Sequence, residues 1–216
     1  MPQDRHLPPL YAILDIGFCK GREPIVVLDA FLQAGVKLVQ LRAKDCASNA
    51  LFTLAGAARE STRRAGAQLI VNDRLDVALA VRADGVHLGQ EDLPLAAARK
   101  IAGDRLIVGI STHTLDQARR AEAALADYIG FGPMFATTTK TTGHSPRGLA
   151  MLGEIKAALS IPVVAIGGIN EQNVASVWQA GADSAAIISD IMAAKDVAAK
   201  ARNILDLAAG GKAGVR

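Results

Sequence analysis

Charged and apolar side chains alternate after the apolar segment Leu38–Leu41, in the run Gln40-Leu41-Arg42-Ala43-Lys44. On an extended strand this spacing puts Gln40, Arg42 and Lys44 on one face. Two cations on one face suit a polyanionic ligand, because a guanidinium is costly to remove from water without an anion. The run therefore predicts a phosphate-binding strand end. A strand end that simply faces solvent would carry the same residue types.

Two other apolar segments are each followed by an aspartate. Asp73 comes after Val71-Asn72, and Asp92 comes after Gly89-Gln90-Glu91. Mg²⁺ in proteins commonly takes one or two carboxylates and fills its other positions with water and phosphate oxygens. Asp73 and Asp92 therefore predict a Mg²⁺ site beside the cationic strand end. The alternative is a helix-capping role, for which Asp92 is well placed before Leu93-Pro94.

A hydroxyl and an imidazole follow the apolar segment that ends at Ile110. Ser111 has two open interpretations, a hydrogen bond to a ligand or a cap on the next helix. His113 fits a loop position better than a general base. His87 lies within an apolar segment and is predicted to be a hydrogen-bonded core histidine.

The segment from Gly132 to Gly143 is too long and polar for a simple connector. Its Thr137-Thr138-Thr139-Lys140 run suits phosphate recognition, and we expect a loop that closes over the ligand. Further along, Gly167-Gly168-Ile169 and Ile188-Ser189 each end an apolar segment. Glycine at such an end lets a phosphate approach backbone N–H groups, so these two ends predict a phosphate-binding corner.

The elements that must position these residues form one repeating pattern. Short Val- and Ile-rich segments alternate with Ala-rich segments of helical period along the whole chain, as in repeated βα units. The predicted strands are Leu10–Leu14, Leu38–Leu41, Gln68–Val71, Gly85–Leu88, Leu106–Ile110, Tyr128–Phe131, Pro162–Ile166 and Ser184–Ile188. The predicted helices are Pro24–Ala34, Ala50–Ala65, Pro94–Ala102, Thr114–Leu125, Leu149–Leu159, Asn173–Ala180 and Asp196–Leu207.

Eight strands predict an α/β fold of a single (β/α)8 TIM barrel, with its phosphate sites at the C-terminal face. An open doubly wound sheet is the alternative architecture. We expect the barrel to occupy residues 1–209 and a disordered tail to occupy residues 210–216. In such a barrel the loops after the strands share one rim, so the segments above are expected to meet.

Composition excludes several classes of protein. The 216 residues carry a net charge of +3, and aromatic residues make up only 4%, so a nucleic-acid-stacking surface is not expected. Cys19 and Cys46 form no CxxC motif, which favours a reducing compartment. The first ten residues are polar and Pro-rich, and no later apolar run reaches membrane-spanning length. We therefore expect a cytoplasmic protein whose partners are small molecules.

Taken together, these segments resemble the thiamine phosphate synthase family along nearly the whole chain. The most specific matches are Gln40-Leu41-Arg42-Ala43-Lys44, Asn72-Asp73, Gly89-Gln90-Glu91-Asp92 and Thr137-Thr138-Thr139-Lys140. The resemblance implies Mg²⁺ at Asp73 and Asp92, and it implies catalytic roles for Lys140, Arg42 and Ser111. The pyrimidine diphosphate would contact Gln40, Arg42, Lys44, Asn72, Ser111 and Lys140. The thiazole phosphate would contact Thr137, Thr138, Thr139, Gly168, Ile188 and Ser189.

The reaction implied by this resemblance needs no catalytic triad. A thiazole nitrogen attacks with its own lone pair, and the difficult step is departure of pyrophosphate from the pyrimidine methylene carbon. Mg²⁺, Arg42, Lys44 and Lys140 would favour that step by neutralising the leaving group. The sequence departs from the family at Ala136, where proline is usual, and at Ile13-Leu14-Asp15, where the strand usually ends in Thr-Asp.

Two other functions are compatible with the same fold. A thiazole tautomerase is similar but performs acid–base chemistry, for which His113 is a candidate. A non-catalytic sensor would bind thiazole phosphate or thiamine phosphate without turnover. Asn72-Asp73 and Gln90-Glu91-Asp92 favour the synthase over the tautomerase, because a tautomerase has no pyrophosphate to expel. The intact set of diphosphate-binding residues also disfavours the sensor.

Overall fold

Eight parallel strands close into a barrel in chain order, with β1 hydrogen-bonded to β8. The structure is a computed structural model that describes residues 6–137 and 145–212. The strands are β1 Leu10–Asp15, β2 Leu38–Arg42, β3 Gln68–Asn72, β4 Gly85–Leu88, β5 Ile107–Thr112, β6 Tyr128–Phe131, β7 Val163–Ile166 and β8 Ser184–Ile187. This confirms the predicted (β/α)8 barrel.

Helices follow the strands and pack around them. They are α1 Pro24–Gln33, α2 Ser48–Arg64, α3 Leu75–Ala80, α4 Leu95–Ala102, α5 Leu115–Ala123, α6 Gly148–Ala158, α7 Val174–Gln179, α8 Ser189–Met192 and α9 Val197–Lys212. Two of them, α3 and α8, were not predicted, and α8 has only four residues, which is too short to show a helical period. Helix α9 continues to Lys212, so residues 210–212 extend a helix and do not begin a tail. Residues 213–216 lie outside the described part of the chain.

The strands are buried on both sides, which explains their nearly continuous apolar composition. In β1, Leu10, Ala12 and Leu14 face the helices and join the large outer core. Tyr11 and Ile13 point inward and join a smaller cluster inside the barrel. Because neighbouring strands are parallel and in register, the residues that follow their carboxyl ends are brought to one rim.

Among the described residues, three aspartates at the opposite, amino-terminal end of the barrel make the same two contacts, one to a basic side chain and one to a strand N–H. In one case, Asp127 before β6 accepts the Val108 N–H at 2.7 Å and pairs with Arg99 at 2.6 Å. Asp84 before β4 pairs with Arg59 and accepts the Leu69 N–H, and Asp183 before β8 pairs with Lys156 and accepts the Val163 N–H. Each aspartate therefore links one helix to two strands, and we expect these links to stabilise this end of the barrel.

Across residues 6–137 and 145–212, no helix is both long enough and apolar enough to cross a lipid bilayer.

Candidate active site

One pocket opens at the carboxyl ends of the strands, as the barrel architecture requires. The predicted residues that line it come from both sides of the barrel: Gln40, Arg42, Asn72, Ser111, Thr137, Gly168, Ile188 and Ser189. These residues are widely separated in sequence, and barrel closure brings them around a common space. The pocket wall also includes Tyr11, His87 and His113.

Lys44 does not share the strand face that its spacing indicated. Strand β2 ends at Arg42, and the chain then turns, with Asp45 in a left-handed conformation at φ 63°. The Lys44 ammonium lies 3.6 Å from Asp73 Oδ2 and is half-exposed. The turn therefore ends the two-residue period and directs Lys44 to the carboxylate predicted to bind the metal.

Asp15 is the partner of a pocket residue, and the sequence predictions did not include it. It is 3% exposed, and its carboxylate forms an ion pair with Arg42 on the neighbouring strand. The anion that compensates the partly buried Arg42 guanidinium is therefore part of the protein itself. A signal was present in the sequence, since Asp15 continues the two-residue period of the inward-facing Tyr11 and Ile13.

The loop after β4 is shaped by Asp92 and Gln90. Asp92 Oδ2 accepts the Gly89 N–H at 2.6 Å, and helix α4 starts at Leu95 after Pro94, which makes no side-chain cap. The helix-capping alternative for Asp92 is therefore wrong. Gln90 Nε2 donates to the Ser111 carbonyl at 2.6 Å, which holds this loop against β5.

Ser111 does not cap a helix either. Helix α5 is capped by Thr114, whose hydroxyl accepts the Gln117 N–H. The Ser111 hydroxyl instead lies 2.9 Å from His87 Nε2, and His87 Nδ1 lies 3.0 Å from the Tyr128 hydroxyl. His87 is buried and hydrogen-bonded, as predicted, and it also forms part of the pocket wall.

Burial dominates the electrostatics of the tyrosines inside the barrel. Loss of solvent raises the pKa of Tyr11 and of Tyr128 far above the usual value for a phenol. Both phenols therefore keep their protons at neutral pH, and both act as neutral hydrogen-bonding groups.

His113 is fixed by the strand next to its own. Its Nδ1 lies 2.7 Å from the Gly132 carbonyl oxygen, so Nδ1–H donates to that oxygen. Its backbone N–H donates to Gln117 Oε1 at 2.7 Å. The ring therefore lines the pocket from a defined position between β5 and β6.

The predicted phosphate-binding corner depends on two glycines with positive φ, Gly167 at 100° and Gly168 at 66°. A Cβ on Gly168 would lie 2.6 Å from the Ala136 carbonyl oxygen, and one on Gly167 would lie 2.6 Å from Pro133 Cβ. The chain after β6 is also tied to this turn, because the Phe135 N–H donates to the Gly167 carbonyl. Larger residues would displace the start of the threonine-rich loop.

Three predicted residues, Thr138, Thr139 and Lys140, lie outside the described residues, and Thr137 is the last described residue before them. Within the described ranges, no three His, Cys, Asp or Glu side chains form a group suited to a metal ion.

Comparisons with known proteins agree on one family. A family model described as "Thiamine monophosphate synthase" matches residues 10–191. The chain is 49% identical over 195 residues to a thiamine-phosphate synthase of Chloroflexus aurantiacus, with 90% of each sequence covered. It is 48% identical to that of Moorella thermoacetica, covering 92% of this chain and 94% of the relative.

A solved structure supports the same conclusion. The thiamine phosphate pyrophosphorylase from Pyrococcus furiosus superposes with a TM-score of 0.88 at 36% identity, covering 94% of this chain and 96% of that one. The family model, which matches residues 10–191, covers all of the strands from β1 to β8. The chain therefore belongs to the thiamine monophosphate synthase family.

Proposed function

We propose that this thiamine-phosphate synthase uses the pocket at the barrel mouth to join a pyrimidine diphosphate to a thiazole phosphate, releasing pyrophosphate. One observation carries the assignment of the site. Gln40, Arg42, Asn72 and Ser111 line one pocket together with Thr137, Gly168, Ile188 and Ser189. The first group is expected to hold the pyrimidine diphosphate and the second the thiazole phosphate. A single space bounded by both groups suits a reaction between two bound substrates.

The proposed reaction breaks one bond and forms another at the same carbon. The C–O bond between the pyrimidine methylene and the diphosphate breaks, its electron pair leaves with pyrophosphate, and the thiazole nitrogen forms the new C–N bond. The nitrogen needs no general base, because its lone pair carries no proton. The protein contributes by holding both substrates and stabilising charge on the leaving group.

Arg42 is the best-supported partner of the diphosphate among the described residues. The ion pair with Asp15 gives its guanidinium a fixed direction before any substrate arrives, and a guanidinium has further N–H groups for phosphate oxygens. Lys44 and Lys140 are proposed to add positive charge. Ser111 is proposed to donate a hydrogen bond to the pyrimidine substrate.

The donor set of Asp73 and Asp92 fits Mg²⁺. Both are hard carboxylates, and they follow β3 and β4, which are hydrogen-bonded neighbours. Mg²⁺ commonly accepts only one or two carboxylates, with water and substrate phosphate completing its shell. When bound there, it would supply positive charge against the pyrophosphate leaving group. The Lys44 ammonium beside Asp73 would add a further positive charge near the leaving group.

Purified protein, Mg²⁺ and both substrates provide the direct test of the function. We expect thiamine phosphate and pyrophosphate to appear in equal amounts. Omission of the thiazole phosphate is the control and should stop thiamine phosphate formation. Binding of either substrate without any product would contradict the proposal and favour the sensor. Proton exchange on a thiazole phosphate without pyrophosphate release would favour the tautomerase.

The metal assignment has its own test. Asp73→Asn and Asp92→Asn should each raise the Mg²⁺ concentration needed for half-maximal rate by on the order of tenfold or more, because each removes a charged ligand. Asp76→Asn, which alters an exposed aspartate paired with Arg74, is the matched control and should leave that concentration unchanged. A normal Mg²⁺ dependence in both site variants would contradict the assignment.

A further inference from the structure

Five polar side chains form a continuous hydrogen-bonded chain through the interior of the barrel. Gln40 Nε2 donates to the Tyr11 hydroxyl at 3.0 Å, and that hydroxyl lies 3.0 Å from the Tyr128 hydroxyl. Tyr128 lies 3.0 Å from His87 Nδ1, and His87 Nε2 lies 2.9 Å from the Ser111 hydroxyl. The chain begins and ends at residues of the pocket wall, so it links two points of the candidate active site.

Two glycines make room for the rings of this chain. A Cβ on Gly109 would lie 2.0 Å from Tyr128 Cζ, and a Cβ on Gly130 would lie 3.2 Å from His87 Cε1. The imidazole stacks on the Tyr128 ring with 5.5 Å between centroids. Packing therefore fixes the positions of both rings, and only the protons within the chain can rearrange.

The Gln40 end of the chain sets the direction of those protons. The Tyr11 oxygen already accepts from Gln40, and Tyr11 is 1% exposed. Among the described residues, the only acceptor within hydrogen-bond distance of its O–H is the Tyr128 oxygen. Buried hydroxyl protons in folded proteins almost always have an acceptor. Tyr11 therefore donates to Tyr128.

The same reasoning extends to Ser111. Because the Tyr128 oxygen accepts from Tyr11, its own proton is directed to His87 Nδ1, which must then be unprotonated. The neutral imidazole carries its proton on Nε2 and donates it to the Ser111 oxygen. The Ser111 oxygen accepts from His87, so the Ser111 hydroxyl proton is available to another acceptor. Because Ser111 lines the pocket, that acceptor can be a ligand in the pocket.

We propose that His87 is a positioning residue, held by Tyr128 as the Nε2–H tautomer, that makes Ser111 a hydrogen-bond donor toward the pocket. Its consequence for turnover rests on the proposed function, since it requires that Ser111 contact an acceptor atom of the pyrimidine substrate. With the reverse direction, Ser111 would donate to His87 and would offer the ligand no proton. The tautomer of His87 therefore distinguishes the two arrangements.

The tautomer can be measured in the protein without substrates, by two-dimensional ¹H–¹⁵N correlation of the imidazole nitrogens at mildly alkaline pH. The protein has four histidines, so a His87→Gln variant identifies which imidazole signals belong to His87. We expect an unprotonated Nδ1 and a protonated Nε2. A protonated Nδ1 would overturn the proposal. Because no substrate is present, this measurement stands even if the protein fails to make thiamine phosphate.

Two phenylalanine variants show which hydroxyl controls the tautomer. Tyr128→Phe removes the donor to Nδ1, and we expect the Nδ1–H tautomer to become populated. Tyr11→Phe is the matched control, since it also removes one buried hydroxyl but leaves the Tyr128 proton for His87, and the tautomer should be unchanged. An unchanged tautomer in folded Tyr128→Phe would overturn the proposal. Should that variant not fold, Ser111→Ala replaces it: its tautomer should match the unmodified protein, and a protonated Nδ1 would overturn the proposal.

The kinetic readout separates positioning from general destabilisation. Tyr128→Phe should raise the KM for the pyrimidine diphosphate or lower kcat by roughly three- to tenfold, the value of one hydrogen bond. The KM for the thiazole phosphate should change much less, because Ser111 is assigned to the other substrate. Equal loss for both substrates would indicate a structural effect and would overturn the positioning role.

Discussion

The carboxylate of Asp15 holds the guanidinium of Arg42 where β1 and β2 run side by side at the barrel mouth. The two residues are register partners in the parallel pair, and their side chains are 4% and 17% exposed. The second Asp15 oxygen accepts the Gly17 N–H at 3.0 Å. Both carboxylate oxygens are engaged, so Asp15 has little freedom to move and Arg42 is oriented before substrate binds.

Asp15→Asn should therefore damage both stability and catalysis. Loss of one partner from a buried ion pair costs about 3 kcal/mol of unfolding free energy, because the other charge stays buried without compensation. We also expect kcat/KM for the pyrimidine diphosphate to fall at least about tenfold, since Arg42 loses its fixed orientation. Denaturant unfolding and steady-state kinetics on the same preparation measure the two effects. Normal kinetics in the folded variant would show that Arg42 needs no orienting partner.

Asp127→Asn should separate stability from catalysis. The Asp127 pair with Arg99 lies at the opposite end of the barrel from the pocket, and both side chains are 17% exposed. We expect a loss of about 2–4 kcal/mol in unfolding free energy with unchanged kcat/KM while the protein is folded. Asp116→Asn, in the exposed α5 pair with Arg120, should change stability by less than about 1 kcal/mol. Similar losses of unfolding free energy in the two variants would contradict the structural role of the Asp127–Arg99 ion pair.

Gly168→Ala should selectively weaken the binding of the thiazole phosphate. The new Cβ would lie 2.6 Å from the Ala136 carbonyl oxygen, so the chain that leads into the threonine-rich loop must shift. Gly66→Ala is the matched control, because Gly66 also has positive φ, 60° against 66°, but nothing lies within 4 Å of its Cβ position. Both variants should lose at least about 1 kcal/mol of stability, since alanine is strained at positive φ. Only Gly168→Ala should raise the KM for thiazole phosphate, and an equal rise in Gly66→Ala would point to strain alone.

The Glu171–Lys200 ion pair predicts a specific pH dependence of stability. The hydrogen bond from Lys200 lowers the pKa of Glu171 from its ordinary value of 4.5, and the same contact raises the pKa of Lys200. A depressed carboxyl pKa stabilises the fold above pH 4.5, and this contribution is lost as the pH falls through the folded-state value. The raised pKa of Lys200 also stabilises the fold, and this contribution is lost only when the pH rises through the folded-state value, in strong alkali.

Unfolding of the unmodified protein and of Glu171→Gln measures this contribution. The difference in unfolding free energy between them should be at most about 1 kcal/mol, because both side chains are partly exposed. It should be constant from about pH 6 to 8 and should shrink below pH 4.5. A difference that does not vary with pH would mean that the carboxylate charge contributes nothing.

Much of the fold follows from sequence alone, since parallel strands buried on two sides must be apolar and short. Gly85–Leu88 and Tyr128–Phe131 were predicted with the observed bounds. The apolar pattern underestimates the length of a strand whose last residues are polar. Strand β1 continues to Asp15 because that carboxylate has a partner on β2, and β5 continues to Thr112, whose hydroxyl donates to the Gly130 carbonyl.

The sequence by itself determined which residues reach the rim of the barrel, because alternation along a strand and the direction of parallel strands depend only on local geometry. Gln40, Arg42 and Ser111 were identified in this way. The tertiary structure alone decided their partners. Arg42 pairs with Asp15 across 27 positions of sequence, and the Tyr11 hydroxyl meets that of Tyr128 across 117. Such pairings depend on barrel closure. The sequence pattern indicates which face of a strand each side chain occupies, but it does not indicate which distant side chain lies opposite.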